Sequence, residues 1–258
     1  MPKIDQSIVN SDMTGADPEK ERPRLHFHGR RLGKPLRTAQ KKLVDEVLPR
    51  IRFAAPDDPA AAFGRPVDGV WLEIGFGGGE HLLAQARAHP DTGMIGCEPF
   101  MNGIAKVLTA IDQEGIANIR LHDDDARPLL EALPDASIDR VYLLFADPWP
   151  KKRHNKRRFV VPENLDKLAR VLKDGGELRF ASDHADYVVW ALEHLSRHPA
   201  LRWLARRPAD WRCPPADWVR TRYQEKAEAR GDVCTFLRFR RRRRGKAALA
   251  NRERPAGR

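Results

Sequence analysis

Cysteine is scarce in this sequence. Its three copies, Cys97, Cys213 and Cys234, are odd in number and far apart, which excludes a disulfide framework and a paired CxxC metal set. A reducing, cytoplasmic setting fits that usage. Long apolar runs are missing as well: no window approaches the roughly 20 apolar residues of a membrane-spanning helix. The opening MPKIDQSIVNSDMTGADPEKERPRLHFHGRR also lacks the apolar stretch of a signal peptide. The expectation is a soluble protein without a membrane partner. Histidine, cysteine and acidic positions show no zinc-like spacing, so no metal is expected. A nucleophile elbow and a phosphate-loop lysine are missing too, which argues against serine hydrolysis and P-loop phosphoryl transfer.

Acidic residues are the minority charge. The 36 acids stand against 47 lysines and arginines, a formal net charge of +11 over 258 residues. Self-repulsion of that kind opposes the compact state, and it points to a polyanionic partner. A hydrophobic fraction of 41% is enough to fill one core. We expect a folded domain over residues 38–240, preceded by a flexible basic arm (1–37) and followed by a basic tail (241–258).

Within the domain, strands and helices alternate. Leu43, Val44, Val47, Leu48 and Ile51 recur at helical spacing and predict a helix from Thr38 to about Arg52, followed by a loop, AAPDDPAAAFGRPVDG. Strands are expected at residues 70–76 and 93–99, in NIRLHDDD, SIDRVYLLFADP and GELRFASD, and near the end in VCTFLRFRR. Helices are expected between them, one of which, VPENLDKLARVLKDGG, should stop at its glycines. The alternation predicts an α/β fold, doubly wound, with a largely parallel sheet covered on both faces.

The first strand runs into EIGFGGG, Glu73 to Gly79. Gly75, Gly77 and Gly79 allow a tight turn and close approach of backbone to a ligand. The dinucleotide pattern GxGxxG needs glycine where this chain has Glu80. An acid ahead of the glycines suits S-adenosylmethionine better, because the amino-acid end of that cofactor carries a cationic ammonium group. Glu98, at the end of the second strand, is placed to bind a ribose diol. Asp125 is a candidate for the adenine edge, with Asp123 and Asp124 as alternatives in the same HDDDA run.

The fourth strand ends in FADPWP, and the next eight residues deliver Lys151, Lys152, Arg153, Lys156, Arg157 and Arg158, with Asn155 among them. Prolines hold Asp147 in a fixed turn at the rim where open α/β sheets bind ligands. Phosphate contacts set register without reading bases, so a cationic block beside that turn suits a nucleic acid whose target base enters the pocket. Asp183 ends the fifth strand at the same rim, with an N-cap role as its structural alternative. TRYQEK, ahead of the last strand, reads as a surface loop on spacing alone.

Taken together, LEIGFGGGEH, GCEPFMNGIAKVL, FADPWPKKRHNKRRFV, LRFASDHADY and TRYQEKAEARGDVCTFLRF closely resemble the bacterial tRNA (guanine-N7)-methyltransferase family. The likeness spans roughly residues 38–240. It implies a Rossmann-like class I methyltransferase with a seven-stranded sheet whose last strand is antiparallel. It further implies S-adenosylmethionine held by Glu73, Glu98 and Asp125, with Asp147 as catalytic residue. Lys151, Asp183 and the segment Thr221, Arg222, Tyr223 and Gln224 match the family's substrate contacts, and the substrate is a guanine in the tRNA variable loop. Two positions depart from the pattern: Ala146 replaces a proline, and Gln224 stands where a glutamate is usual. Two rival readings remain: an exocyclic amino methyltransferase, and a basic RNA-binding protein with a vestigial cofactor fold. The protein is expected to act as a monomer or a homodimer.

Overall fold

The structure, a computed structural model, describes residue 29 and residues 31–245. Most of the expected N-terminal arm and the tail beyond Gly245 lie outside the described residues. Helices α1 (Thr38–Glu46) and α2 (Leu48–Ile51) break the one helix read from the sequence, because Pro49 sits in the first turn of α2. The predicted loop that follows contains a short 3-10 helix, Pro59–Phe63, which buries Phe63 under the sheet. Then come β1 (Gly69–Ile74), α3 (Glu80–Ala88), β2 (Thr92–Cys97), α4 (Met101–Glu114), β3 (Ile119–His122), α5 (Ala126–Ala132) and β4 (Ile138–Leu144). The second half adds α6 (Pro162–Val171), β5 (Leu172–Ser182), α7 (Ala185–Arg197), β6 (Leu201–Trp203), α8 (Ala209–Arg212), α9 (Arg222–Ala229) and β7 (Thr235–Arg241).

The seven strands form one sheet in the order β3-β2-β1-β4-β5-β7-β6. Only β7 runs against its neighbours, pairing antiparallel with both β5 and β6. Leu82, Ile104, Val107 and Leu108 of α3 and α4 pack against Met94 and Leu121 on one face. Leu129, Leu165, Leu168 and Tyr187 of α5, α6 and α7 pack against Leu72, Ile95, Val141 and Phe180 on the other. A third, smaller cluster joins Tyr142, Ala181 and Phe236 to Ala227 of α9. Each contact removes apolar area from water, worth roughly 25 cal/mol per Å².

Helix α6 ends before the glycines that were expected to stop it. Its last carbonyls are taken by two arginines from the far end of the domain: Arg241 Nε donates to Ala169 at 2.7 Å, and Arg244 Nη2 to Arg170 at 2.7 Å and Leu172 at 2.8 Å. With the helix closed from outside, Gly175 and Gly176 are free for an irregularity at the start of β5, where the register with β4 shifts between Ile138 and Arg140. Gly175 has φ +83, and a Cβ on Gly176 would lie 2.9 Å from the Asp139 carbonyl. The residues of the expected tail that the structure describes therefore belong to the fold. At the other end, the Arg31 carbonyl accepts from Met101 N at 2.9 Å, and Gly33 N donates to Asn102 Oδ1 at 2.8 Å. This part of the expected arm is tied to the start of α4.

Candidate active site

The strand order reverses between β1 and β4, and that switch point opens at the carboxyl ends of the parallel strands. A cavity of about 570 Å³ lies there, within the usual range for a small-molecule site. Gly75, Gly77, Glu98, Asp125, Asp147 and Tyr223 all line it.

The glycine turn forms one wall. Gly75, at φ +75, has open space where a Cβ would stand, and Gly77, at φ +56, faces the ring of Tyr223. Gly103 at the start of α4 brings that helix against the turn, since a Cβ there would lie 2.1 Å from the Gly77 carbonyl. Gly79 serves packing: a Cβ on it would lie 2.1 Å from Val107, and it caps α3 without lining the cavity. Glu98 accepts from Gly77 N at 2.8 Å through one oxygen and from Phe100 N at 2.9 Å through the other. Each oxygen keeps a lone pair for a hydroxyl, so the carboxylate is anchored and able to receive a diol. Burial raises its pKa, against the pull of those two N–H groups, and the charges of Asp147 and Glu73 add to the rise.

Glu73 is not on the cavity wall. Its carboxylate is buried and lies 2.7 Å from Nδ1 of His81, a residue of α3 that the sequence reading left out. Asp125 caps α5, accepting from Arg127 N at 3.1 Å and pairing with Arg127 Nη1 at 2.9 Å. Asp123 is held by Arg52 at 2.8 Å and Asp124 by Arg31, so of the three aspartates only Asp125 lines the cavity.

On the opposite wall stands the turn after β4. Phe145 and Trp149 both have left-handed backbone, φ 52 and φ 45, on either side of Asp147. Left-handed non-glycine residues cost on the order of 1 kcal/mol each, so surrounding contacts must impose the turn. Asp147 opens onto the cavity, and burial by the walls raises its pKa. Trp149 lines the cavity with the Arg157 guanidinium 5.0 Å over its ring. Phe100, Arg127 and Phe159 also line it; Phe100 and Phe159 stand inside segments that carry the family resemblance, but none of the three is expected as a site residue from the sequence.

The cationic block that follows is a 3-10 helix, Lys152–Arg157. Lys151, Lys152, Arg153 and Lys156 are exposed, whereas Asn155 is half-buried. Arg158 departs from the expected phosphate contact. Its side chain is fully buried and ion-paired with Asp186, which sets it apart from the exposed cations of the block.

TRYQEK is not a loop: Thr221 caps α9 by accepting from Gln224 N at 3.2 Å, and the next residues are helical. Gln224 points inward, accepting from Trp218 Nε1 and donating to Glu228, both at 2.7 Å. An ionised glutamate at this position could not donate to Glu228. The expected substrate contacts through the Thr221 hydroxyl and the Gln224 amide are thus engaged within the fold, while Arg222 and Tyr223 are exposed. Asp183 is not the N-cap of α7, which is His184; it pairs with Arg230 at 2.8 Å, beside α9.

The sequence profile of the family Methyltransf_4, described as "Putative methyltransferase", matches residues 68–237, the span that carries the glycine turn, Glu98, Asp125, the Asp147 turn and Tyr223. A "tRNA (guanine-N(7)-)-methyltransferase" of Rhodospirillum rubrum is 51% identical over 247 residues, covering 93% of this chain and 97% of that protein. One of Azorhizobium caulinodans is 53% identical over 215 residues, covering 83% and 94%. The chain belongs to the tRNA (guanine-N7)-methyltransferase family. Among solved structures, the 16S rRNA methyltransferase KamB is similar in fold, with a TM-score of 0.50 at 16% identity over 73% of this chain and 96% of that one. This family member has the class I methyltransferase fold, a doubly wound sheet with antiparallel β7.

Proposed function

We propose that this family member binds S-adenosylmethionine in the cavity and methylates N7 of a guanine in the variable loop of tRNA. The observation that carries the reading is the shared cavity: the anchored Glu98 and the glycine turn face Asp147, and an exposed cationic helix begins five residues after Asp147. The cofactor supplies a sulfonium methyl group that needs an in-line nucleophile. Guanine N7 has a free lone pair and no proton, so alignment matters more than a base, and alignment is worth about 7–11 kcal/mol of barrier. Asp147 accepts hydrogen bonds from the guanine N1 and N2 donors, turning N7 toward the methyl and favouring the positive charge that develops on the ring. Glu98 holds the ribose hydroxyls, and Asp125 stands near the base of the cofactor. Tyr223 and Trp149 offer ring surfaces at the mouth, and Lys151, Lys152, Arg153, Lys156 and Arg157 meet phosphates. Glu73 acts from behind the glycine turn, through His81. Asp183 orients α9 through Arg230, and Arg222 joins the RNA surface. The protein works in the cytoplasm, as a monomer or homodimer.

The decisive experiment incubates tRNA with the protein and labelled cofactor and then treats it with borohydride and aniline. Chain cleavage at a labelled variable-loop guanosine is expected. A labelled tRNA that resists cleavage would overturn N7 as the acceptor.

A further inference from the structure

Arg158 closes the cationic run, and the fold turns it inward. Its Nε donates to the Pro148 carbonyl at 2.8 Å, and its Nη2 meets the Asp186 carboxylate. The guanidinium lies 5.2 Å from the ring centroids of both Tyr187 and Trp190 on α7. Those rings are themselves fixed, since Trp190 Nε1 donates to the Val160 carbonyl at 2.6 Å and Tyr187 packs edge-on against Phe180 of β5. Asn155 acts on the same backbone. With its amide nitrogen turned to the available acceptors, it reaches the carbonyls of Trp149 at 3.2 Å and Lys151 at 3.3 Å. The carbonyls of Pro148, Trp149 and Lys151 are therefore all gripped by Asn155 of the 3-10 helix and by Arg158, which caps its end. On the strand side, Phe145 N donates to the Ala181 carbonyl at 2.7 Å. Between these grips stands Asp147, flanked by the two left-handed residues whose conformation the surroundings must impose.

We infer that Arg158 is a positioning residue for methyl transfer: seated between Tyr187 and Trp190 and neutralised by Asp186, it holds the turn that presents Asp147 and makes no phosphate contact. The inference rests on the methyl-transfer function proposed above. A planar fork can serve a carbonyl and a carboxylate in two directions at once, which a lysine ammonium at the end of a flexible stem does not reproduce. The six cations of the block thus divide by direction, with Arg158 spent on the turn and the exposed members left for RNA.

The test compares Arg158→Lys with Lys156→Ala. For each, kcat and KM for tRNA, the salt dependence of tRNA binding and cofactor affinity by calorimetry are measured. For Arg158→Lys, kcat is expected to fall about 100-fold, the scale of a small misplacement of a reacting group. Its salt slope and cofactor affinity are expected to match the unaltered protein. Lys156→Ala is expected to lower the salt slope by about one unit, the mark of one lost phosphate contact. Should Arg158→Lys fail to fold, Asp186→Asn, on the exposed end of the pair, is measured in the same way, and a fall in kcat of about 10-fold is expected. A drop of about one unit in the salt slope of Arg158→Lys with kcat retained would make Arg158 a phosphate ligand and overturn the inference. Unchanged kcat and KM in the variant that folds, or a parallel loss of cofactor affinity, would overturn it as well. If the unaltered protein makes no N7-methylguanosine, it is the proposed function that fails instead.

Discussion

His81 Nδ1 and the Glu73 carboxylate lie 2.7 Å apart where almost no solvent reaches, joining the end of β1 to the first turn of α3. The glycine turn is the chain between these two residues, so the pair closes a ring around it. His81→Ala would leave a buried acceptor unmatched, and a loss of about 3 kcal/mol in unfolding free energy is expected. The denaturant midpoint measures it, and cofactor affinity should fall along with it because the turn loosens.

Gly103→Ala tests the approach of α4 to the same turn. A methyl group there would meet the Gly77 carbonyl at 2.1 Å, a backbone atom that moves only with the turn. Overpacking of this kind costs about 1–3 kcal/mol. Calorimetry should show at least a tenfold weaker cofactor, because the displaced Gly77 N–H is the one that anchors Glu98.

Asp147→Asn separates chemistry from stability. Hydrogen bonds to a charged acceptor are worth about 1.5–3 kcal/mol, so turnover should fall roughly 10- to 100-fold. The same variant should be more stable than the parent at neutral pH. Burial raises the pKa of Asp147, so the folded state holds its proton more tightly than the unfolded chain. The ionised side chain therefore costs stability above that raised pKa, and the cost disappears as pH falls through it to the ordinary aspartate range. The stability advantage of the asparagine should shrink over that window in melting curves taken at successive pH values. Turnover of the parent should decline on acidification at a pH above the ordinary aspartate pKa.

Lys152, Arg153 and Lys156 are exposed on the 3-10 helix after the turn. Alanine at all three should lower the salt slope of tRNA binding by about three units if each neutralises one phosphate. Filter binding across a salt series reads this directly, and melting temperature should change little, since exposed side chains carry small stability effects.

Much of the fold was legible because periodicity reports burial. The parallel strands carry short apolar stretches such as VYLL of β4, and the helices between them repeat Leu and Val at helical spacing. What escaped depended on contacts distant in sequence. The three residues of β6 are too short for any pattern and exist because β7 offers an edge. The end of α6 is decided by Arg241 and Arg244, about 70 residues away in sequence, and no local signal carries that. At the site, the places of Glu98, Asp125 and Asp147 after apolar strands put them on the cavity, whereas Glu73 and Asp183, read from the same signal, do not line it. The inward turn of Arg158 and Gln224 was not legible, because cationic and amide side chains look alike in sequence whether they face RNA or a buried carbonyl. His81 was hidden for the opposite reason: a lone histidine at the start of a helix looks solvated until its partner is seen.

The sheet order has a consequence for assembly. The glycine turn follows β1 and the Asp147 turn follows β4; these strands are neighbours in space, while α3, β2, α4, β3 and α5 fill the sequence between them. Neither half of the chain owns a complete pocket. Two fragments divided in the connection before β4 would each lack a wall, and cofactor binding would appear only as they dock. Ligand affinity would then pull the pair together by mass action, making the small molecule a reporter of sheet completion.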